Sequence, residues 1–340
     1  PPPVVEEATT YEALAALRPE WWELWTRCPA ATPFQAPKWL LPWWRYLAGG
    51  DLRVLAVRRG GRLVGLVPWF VYTAGSSPTR TVLFLGTGIS DVLDGLLDPE
   101  CEGLIAGAVF QHLARARWWD VCELQQLPER SALLTPEVPG AWDHETTVQD
   151  PCPVLTLPAS GEDLASCLPP QRLARLKYYQ QRASKIGPVQ LDQAEENNFP
   201  ELFEALFRLH RARWASQGLP GVLQEDALHQ FHQEVAWGFL RTGVLRLYGL
   251  RIGGNLVASL YGFQAKGRTY YYLGGFDPNL ARVSPGAILI GHAVREAVRE
   301  GSTEFDFLRG REPYKYWWGA RDRLNYRRRL QLHGQREPRS

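Results

Sequence analysis

The sequence predicts an α/β protein that uses one order of elements twice, with mixed, mostly antiparallel central sheets flanked by helices. Three observations carry this. Two stretches read as tight hairpins, LRVLAVRRGGRLVGLVPWFVY at 52–72 and LRLYGLRIGGNLVASLYGF at 245–263. Their apolar runs are broken by Gly60-Gly61 and Gly253-Gly254, which supply the positive φ of a two-residue turn. Each hairpin is followed by a strand, a loop, a helix and a further strand. Between the halves lies a stretch rich in Pro, Gly and Thr, near Pro128–Pro158. The halves share no residue identity beyond the Gly-Gly turn, so the duplication is one of architecture and not a sequence repeat.

These features divide the 340 residues into an N-terminal domain, 1–150, and a C-terminal domain, 151–340. The chain is 45% hydrophobic and 22% charged, enough apolar material for two cores, and a net charge of +2 points by itself to neither nucleic acid nor membrane. No apolar run approaches the length of a membrane span. The opening PPPVVEEATT lacks a basic region followed by an apolar one, so a soluble, cytoplasmic location is expected. The five cysteines, Cys28, Cys101, Cys122, Cys152 and Cys167, show no metal spacing and are expected to be reduced. His229 and His232 lie three apart on an expected helix without a Cys or carboxylate partner. They read as a solvated face, and no metal is expected.

In chain order, Trp21, Trp22, Trp25, Trp39, Trp43 and Trp44 recur at helical spacing, broken by a turn at Pro33-Phe34-Gln35, and read as core. The first hairpin follows, with Pro68 marking an edge or a bulge. Thr81–Leu85 is a strand, Gly86–Asp91 a loop, Glu102–Ala116 a helix and Asp120–Leu124 a strand. Leu168–Lys185 carries Arg172, Arg175, Lys177, Arg182 and Lys185 without one acid. This is either a solvated helix face or a surface for phosphates or polyanions. Phe199–Ser216, with Leu202, Phe203, Leu206, Leu209 and Trp214, is an amphipathic helix that ends in His210, Arg211 and Arg213. Ala227–Arg241 is another helix.

The second hairpin leads into YYYLGGFDPNLARVSPGAILIGHAVREAVREGSTEFDFLRGREPYKYWWGA, from Tyr270. Tyr270–Gly275 is a strand, Asp277–Pro285 turn chemistry, and Ala287–Glu300 a helix with Gly301 at its end. Glu304–Leu308 is a strand. Ser284-Pro285-Gly286-Ala287 opens that helix, where free N–H groups and the helix dipole bind anions and Gly286 admits a phosphate close to the backbone. The same four residues also describe an N-cap serine with proline at N1.

This element order resembles that of the GNAT-type N-acyltransferases. The closing FDFLRGREPYKYWWGA is similar to the ending of a GNAT subfamily that includes cellulose-biosynthesis-associated acetyltransferase-like proteins, and to that of the Fem-type aminoacyltransferases of peptidoglycan. LGTGISDVLDGLLDP, from Leu85, is similar to a segment of the same subfamily, so the resemblance covers 40–330, more weakly at its start. It implies two tandem GNAT-type domains. The C-terminal one would carry the acyl-carrier site and the N-terminal one a structural or acceptor-binding role.

The resemblance also implies an N-acyltransferase. Acetyl-CoA or another acyl-CoA is the expected donor, and a small-molecule, cell-envelope or polysaccharide precursor, anionic in character, the acceptor. Ser284, Pro285, Gly286 and Ala287 would bind the carrier phosphates, and a strand N–H at Gly274 or Gly275 would polarise the thioester carbonyl. Tyr271 or Tyr272 would reach the same gap; alternation allows only one, and Tyr272 is taken as a catalytic candidate. Asp306, Arg309, Glu312, Tyr314 and Lys315 cluster about a strand end, where open α/β sheets place ligands. By likeness to the Fem-type lysine, Lys315 would stand near the reacting groups. Glu312 or Asp306 would accept the amine proton, while Arg309, Tyr314 and Trp214 would contact substrate. Asp306 and Arg309 are equally readable as an ion pair, and Trp317, Trp318 and Gly319 as packing.

From Arg309 to Arg329 there are eight basic and two acidic residues, suited to an anionic substrate or to guarding an exposed edge strand. Two rival readings stand beside the acyl-CoA one. The first is a Fem-like aminoacyltransferase that takes its donor from aminoacyl-tRNA. The second is a non-catalytic module for an anionic carbohydrate or nucleotide sugar. DNA is not expected as a partner.

Overall fold

The computed structural model describes residues 1–75, 77–137, 142–159, 164–216, 218 and 225–332. Residues 138–141 of the expected join lie outside them. The chain forms two compact units: residues 1–151 with the segment returning from Arg323, and Cys152–Asp322. Each is a mixed α/β unit with one mostly antiparallel sheet flanked by helices.

The first unit contains β1 (Val4–Ala8), α1 (Tyr11–Ala16), α2 (Arg18–Arg27), α3 (Pro37–Leu47), β2 (Asp51–Arg59), β3 (Arg62–Thr73), β4 (Arg80–Phe84), β5 (Leu96–Leu97), α4 (Glu102–Arg115), β6 (Val121–Pro128) and β7 (Trp142–Val148). The second contains β8 (Cys152–Thr156), α5 (Pro170–Ser184), β9 (Val189–Gln193), α6 (Phe199–Ala215), α7 (Asp226–Leu240), β10 (Leu245–Ile252), β11 (Asn255–Ala265), β12 (Arg268–Phe276), α8 (Pro285–Arg299), β13 (Glu304–Asp306), α9 (Pro313–Trp317) and β14 (Arg321–Arg323). The closing strand β15 (Asn325–Leu332) joins the sheet of the first unit. The strand orders are β1-β2-β3-β4-β6-β15-β7, with β5 also on β3, and β14-β8-β13-β12-β11-β10-β9.

Three features differ from the sequence reading. Asn325–Leu332, read with the C-terminal domain, belongs to the first unit's sheet. β15 is not an edge, because it pairs with β6 on one side and β7 on the other. Arg328 is accordingly buried, and its guanidinium donates to the carbonyls of Leu133 (2.7 Å) and Pro136 (2.5 Å). Pro68 sits within β3, an interior strand paired with β2. On the other side β4 pairs with β3 only from Trp69 and β5 only up to Leu66. The missing N–H falls at the break between these two partners, where no ladder bond is lost.

Of the tryptophan pattern, Trp21, Trp25, Trp39 and Trp43 are core, while Trp22 and Trp44 are half-buried. Helix α8 follows from its apolar spacing. Ile288, Leu289, Ala293, Val294 and Ala297 are all buried, and Gly301, at φ 77°, ends the helix. The Ser302 N–H reaches back to the Ala297 carbonyl (2.9 Å), closing a Schellman motif.

Within the first unit, the Gly86–Asp98 loop is tied down by buried bonds. Trp39 Nε1 donates to Ser90 Oγ (2.9 Å), Gln35 Nε2 to the Gly95 carbonyl (3.0 Å) and Leu93 N–H to the Gln126 carbonyl (3.0 Å). Asp94 of this loop is half-buried and accepts from Ser131 Oγ (2.7 Å) and Gly95 N–H (2.8 Å), with no ion pair among the described residues. Burial pushes its carboxyl up to about 7, against these hydrogen bonds. A carboxyl held above its unfolded value near 3.9 binds its proton more tightly in the native state, so stability falls as pH rises from about 4 through about 7. Asp94→Asn is expected to flatten that slope and to raise the melting temperature at pH 8 but not at pH 4. Equal pH dependence in thermal melts of the two proteins would show that Asp94 is not the responsible group.

Candidate active site

The site begins where two strands part. β12 and β13 run parallel through Arg268↔Glu304, Thr269↔Phe305 and Tyr270↔Asp306, and there the pairing stops. β12 continues to Phe276, while the chain after Asp306 stays with the β8 side through a Phe307 N–H bond to the Pro153 carbonyl (2.9 Å). A cavity of about 430 Å³ opens in the gap. Its walls include Tyr271, Gly274, Gly275 and Phe276 from β12, Ser259 and Leu260 from β11, and the first turn of α8. Arg213 of α6, Tyr179 of α5 and Tyr314, Trp317 and Trp318 from α9 and its end complete it.

The turn at one end has a specific geometry. Ser284 adopts the left-handed conformation, φ 47° and ψ 59°, which is costly for a residue with a Cβ. Its side chain makes no capping bond to α8 and instead hydrogen-bonds Tyr179, whose hydroxyl also accepts from Arg175 Nε (3.0 Å). The Arg175 bond is the main cause that lowers the Tyr179 phenol below its ordinary range. Of the two sequence readings of Ser284, the simple N-cap is therefore absent. No side chain caps the first turn of α8, and Ser284, Pro285, Gly286 and Ala287 all line the cavity. A helix start in this state presents N–H groups and the positive end of its dipole to a ligand.

Two adjacent glycines shape the wall for different reasons. A Cβ on Gly275 would collide with the backbone of Leu209 and His210, so this glycine lets α6 lie directly on β12. A Cβ on Gly274 would meet no backbone but would collide with the end of the buried Tyr271 ring, its hydroxyl and, at 3.1 Å each, Cε2 and Cζ. The Gly274 carbonyl accepts from His210 Nδ1 (3.3 Å). Burial pushes His210 down to about 4, so it is neutral at pH 7.

Tyr271 hydrogen-bonds both Arg213 and Tyr314, and burial raises the pKa of both phenols, Tyr314 well above its ordinary value. Tyr272 points the other way, its ring 5.6 Å from His232, 5.7 Å from Tyr261 and 5.8 Å from Phe263. Strand alternation thus puts Tyr271, and not Tyr272, at the gap. His232 is buried among these rings and pushed down to about 3 by burial, while His229 pairs with Glu204 (2.9 Å). The expected solvated histidine face does not form at His232.

Lys315, Glu312, Asp306 and Arg309 do not line the cavity. The Lys315 ammonium is buried and donates to the carbonyls of Leu308 (3.0 Å), Arg309 (2.7 Å) and Gly310 (3.3 Å), and it pairs with Glu312 (2.9 Å). Its donors are spent on the loop that delivers Tyr314, which makes it a structural lysine here. Buried Asp306 accepts from the Leu308 N–H (2.7 Å), bracing the turn at which β13 leaves β12. Trp214 lies outside the wall, next to His210 (ring centroids 5.9 Å). Sequence reasoning missed Tyr179 and Ser259. The former gave no signal beyond its helical register with Leu176 and Ala183. Ser259 faces Gly275 across the strands and is buried, without a partner for its hydroxyl.

Among the described residues, no group of three or more His, Cys, Asp or Glu is placed to hold a metal, and no helix is long and apolar enough to cross a membrane.

Residues 170–316 match the family described as acetyltransferase (GNAT) domain. No curated protein sequence matches the chain. Solved structures with a similar fold include FemX (TM-score 0.68, 11% identity, 98% of each chain covered). A conserved protein of unknown function from Bacteroides thetaiotaomicron has TM-score 0.58 and 10% identity, covering 96% of this chain and 100% of that one. L-PGS from Bacillus licheniformis has TM-score 0.55 and 13% identity, covering 88% and 87%. Residues 170–316 thus resemble a GNAT acetyltransferase domain, and the chain shares the fold of FemX.

The two glycines should separate by substitution. Gly275→Ala forces backbone against backbone and is expected to cost about 1–3 kcal/mol, the usual range for overpacking. In a unit of this size that lowers the melting temperature by about 2–4 °C per kcal/mol. Gly274→Ala, which meets a side chain and not backbone, should displace the Tyr271 ring and lower the melting temperature less than Gly275→Ala does. Similar melts for both variants would contradict this assignment.

Proposed function

We propose that the second unit is an N-acyltransferase that moves an acyl group from acyl-CoA to an amine, with donor and reacting groups in the cavity between β12 and β13. The uncapped first turn of α8 at the mouth of this cavity carries the reading. It offers N–H groups and positive potential to a pyrophosphate, while the gap beside Gly274 and Gly275 suits an extended thioester arm. The amine nitrogen attacks the thioester carbonyl carbon, a β12 N–H polarises its oxygen, and the carbon–sulfur bond breaks. Tyr314, protonated at neutral pH, is the group at hand to protonate the departing thiolate, with Tyr271, itself held by Arg213, fixing its hydroxyl. No carboxylate lines the cavity among the described residues, so the amine proton leaves through water.

The acceptor we favour is anionic, a cell-envelope or polysaccharide precursor, for which Arg213 in the cavity wall supplies a positive charge. In the first unit the chain itself fills the corresponding strand gap, which supports a structural or acceptor-side role there. One observation, the acid-free basic helix α5, favours as a second reading an aminoacyl-tRNA donor at the same cavity.

Calorimetric titration with acetyl-CoA tests the donor. The folded parent is expected to bind. Gly286→Glu, whose Cβ would make only an ordinary contact with Phe276 (3.5 Å) and whose carboxylate would stand at the helix start, where it does not harm the helix, should weaken binding at least about tenfold. A folded parent that does not bind acetyl-CoA would sink the reading. In turnover with an amine acceptor, Tyr314→Phe is expected to lower kcat by about 10²-fold with little change in KM, the signature of a lost proton donor. Binding without turnover on any acyl donor would identify a binding module instead.

A further inference from the structure

The exposed side of α5 carries charge that the protein does not neutralise. None of Arg172, Arg175, Lys177, Arg182 and Lys185 has a carboxylate within ion-pair distance among the described residues. Arg175 and Arg182 are seven residues apart, on one helix face, with Tyr178 between them. Both guanidinium carbons stand 5.7 Å from the centroid of the Tyr178 ring, and Arg182 also reaches the Tyr178 hydroxyl (3.3 Å). Tyr178 is 46% exposed, a large ring left in solvent between two cations. Arg175 also lies 5.2 Å from the Tyr179 ring and bonds its hydroxyl. Tyr179 lines the cavity and hydrogen-bonds Ser284. The buried side of α5, Leu176 and Ala183, packs this helix against α8 and the 278–283 turn. The stripe Arg175–Tyr178–Arg182 therefore runs outward from the point where a pyrophosphate would sit.

From this placement we infer that α5 holds the nucleotide end of the donor. Tyr178 stacks on the adenine, and Arg175 with Arg182 reads the phosphate on the ribose, making these residues specificity determinants for a 3′-phosphorylated nucleotide. The inference rests on the acyl-CoA reading above. Its chemistry is general: a guanidinium matches a phosphate monoester with paired hydrogen bonds, and an exposed ring flanked by guanidiniums is a stacking platform for a base. A simple solvated helix face would leave five cations on one helix with neither acid nor ligand, a self-repulsion that interspersed acids ordinarily relieve. Arg175 and Tyr178 are exposed, Arg182 is half-buried, and none of the three belongs to the buried side of α5, so the variants are expected to fold.

The test compares CoA, dephospho-CoA, which lacks only the ribose phosphate, and 4′-phosphopantetheine, each titrated into the parent and into Arg175→Ala/Arg182→Ala at fixed ionic strength. The parent is expected to bind CoA about 10- to 100-fold tighter than dephospho-CoA, the range for charge-assisted hydrogen bonds, and the double variant to bind the two alike. Tyr178→Ala should weaken both nucleotides about equally and leave phosphopantetheine unchanged. Equal binding of CoA and dephospho-CoA by the parent overturns the inference while keeping the acyl-CoA reading. So does discrimination that persists in the double variant. If the parent binds none of the three but binds aminoacyl-tRNA, and the double variant loses that binding, both fall and the helix is a nucleic-acid surface.

Discussion

Everything at the site depends on where β12 and β13 stop pairing. Three residue pairs hold them parallel, and after Tyr270 and Asp306 their paths separate. Asp306 accepts the Leu308 N–H, and Leu308 takes a positive φ of 58° that turns the chain away. Lys315 then gathers the carbonyls of Leu308, Arg309 and Gly310 onto one ammonium. Parting strands expose backbone groups and apolar side chains that an intact sheet would satisfy, an arrangement that costs stability and persists only when the surroundings over-determine it. The buried lysine is that over-determination. It gathers the loop into one conformation, and this sets Tyr314 against Tyr271.

The first unit shows the same constraint with a different outcome. β4 and β6 are also parallel for only two pairs, Thr81↔Val121 and Val82↔Cys122, before β6 runs on alone. There the Gly86–Asp98 loop closes the space, with Leu93 bonded to the Gln126 carbonyl and Asn325 Nδ2 donating to the Asp91 carbonyl (3.0 Å). Its helix α4 begins at Glu102 after a cysteine, without a left-handed turn that bares the N–H groups. One topology thus yields a filled gap and an open one. The difference lies in the loop after the third strand: thirteen residues that fold back into the sheet, or a short turn that runs directly into a helix.

Much of this was legible in the sequence because it rests on local chemistry. The Gly-Gly turns, the apolar spacing of α8 and its terminal Gly301 depend on residues within a few positions of one another, and they formed as the patterns imply. The turn at Ser284–Ala287 and the glycines of β12 could be singled out for the same reason, and they line the cavity. What failed was what depends on distant partners. β15 reads as a charged edge because its arginines look solvated, yet β7, an unanticipated strand, covers it. Pro68 reads as an edge because the break between β4 and β5 is invisible in a single strand.

Lys315 is the most instructive displacement. A lysine in a Tyr-Lys…Trp-Gly segment beside a strand end invites a catalytic role, and its charge and neighbours in sequence support one. Its neighbours in space remove it: three carbonyls and Glu312 occupy an ammonium with three donors. The residue it delivers, Tyr314, stands in the wall instead, one position earlier in the chain. Sequence located the loop within a single residue but could not say which side chain faces the cavity. That facing is set by α9, a helix of five residues too short to announce itself by period, and by the left-handed backbone that precedes it. At such a site the chemistry is chosen by the few dihedral angles between two elements, and those angles are fixed by hydrogen bonds to carbonyls, which every residue type offers alike.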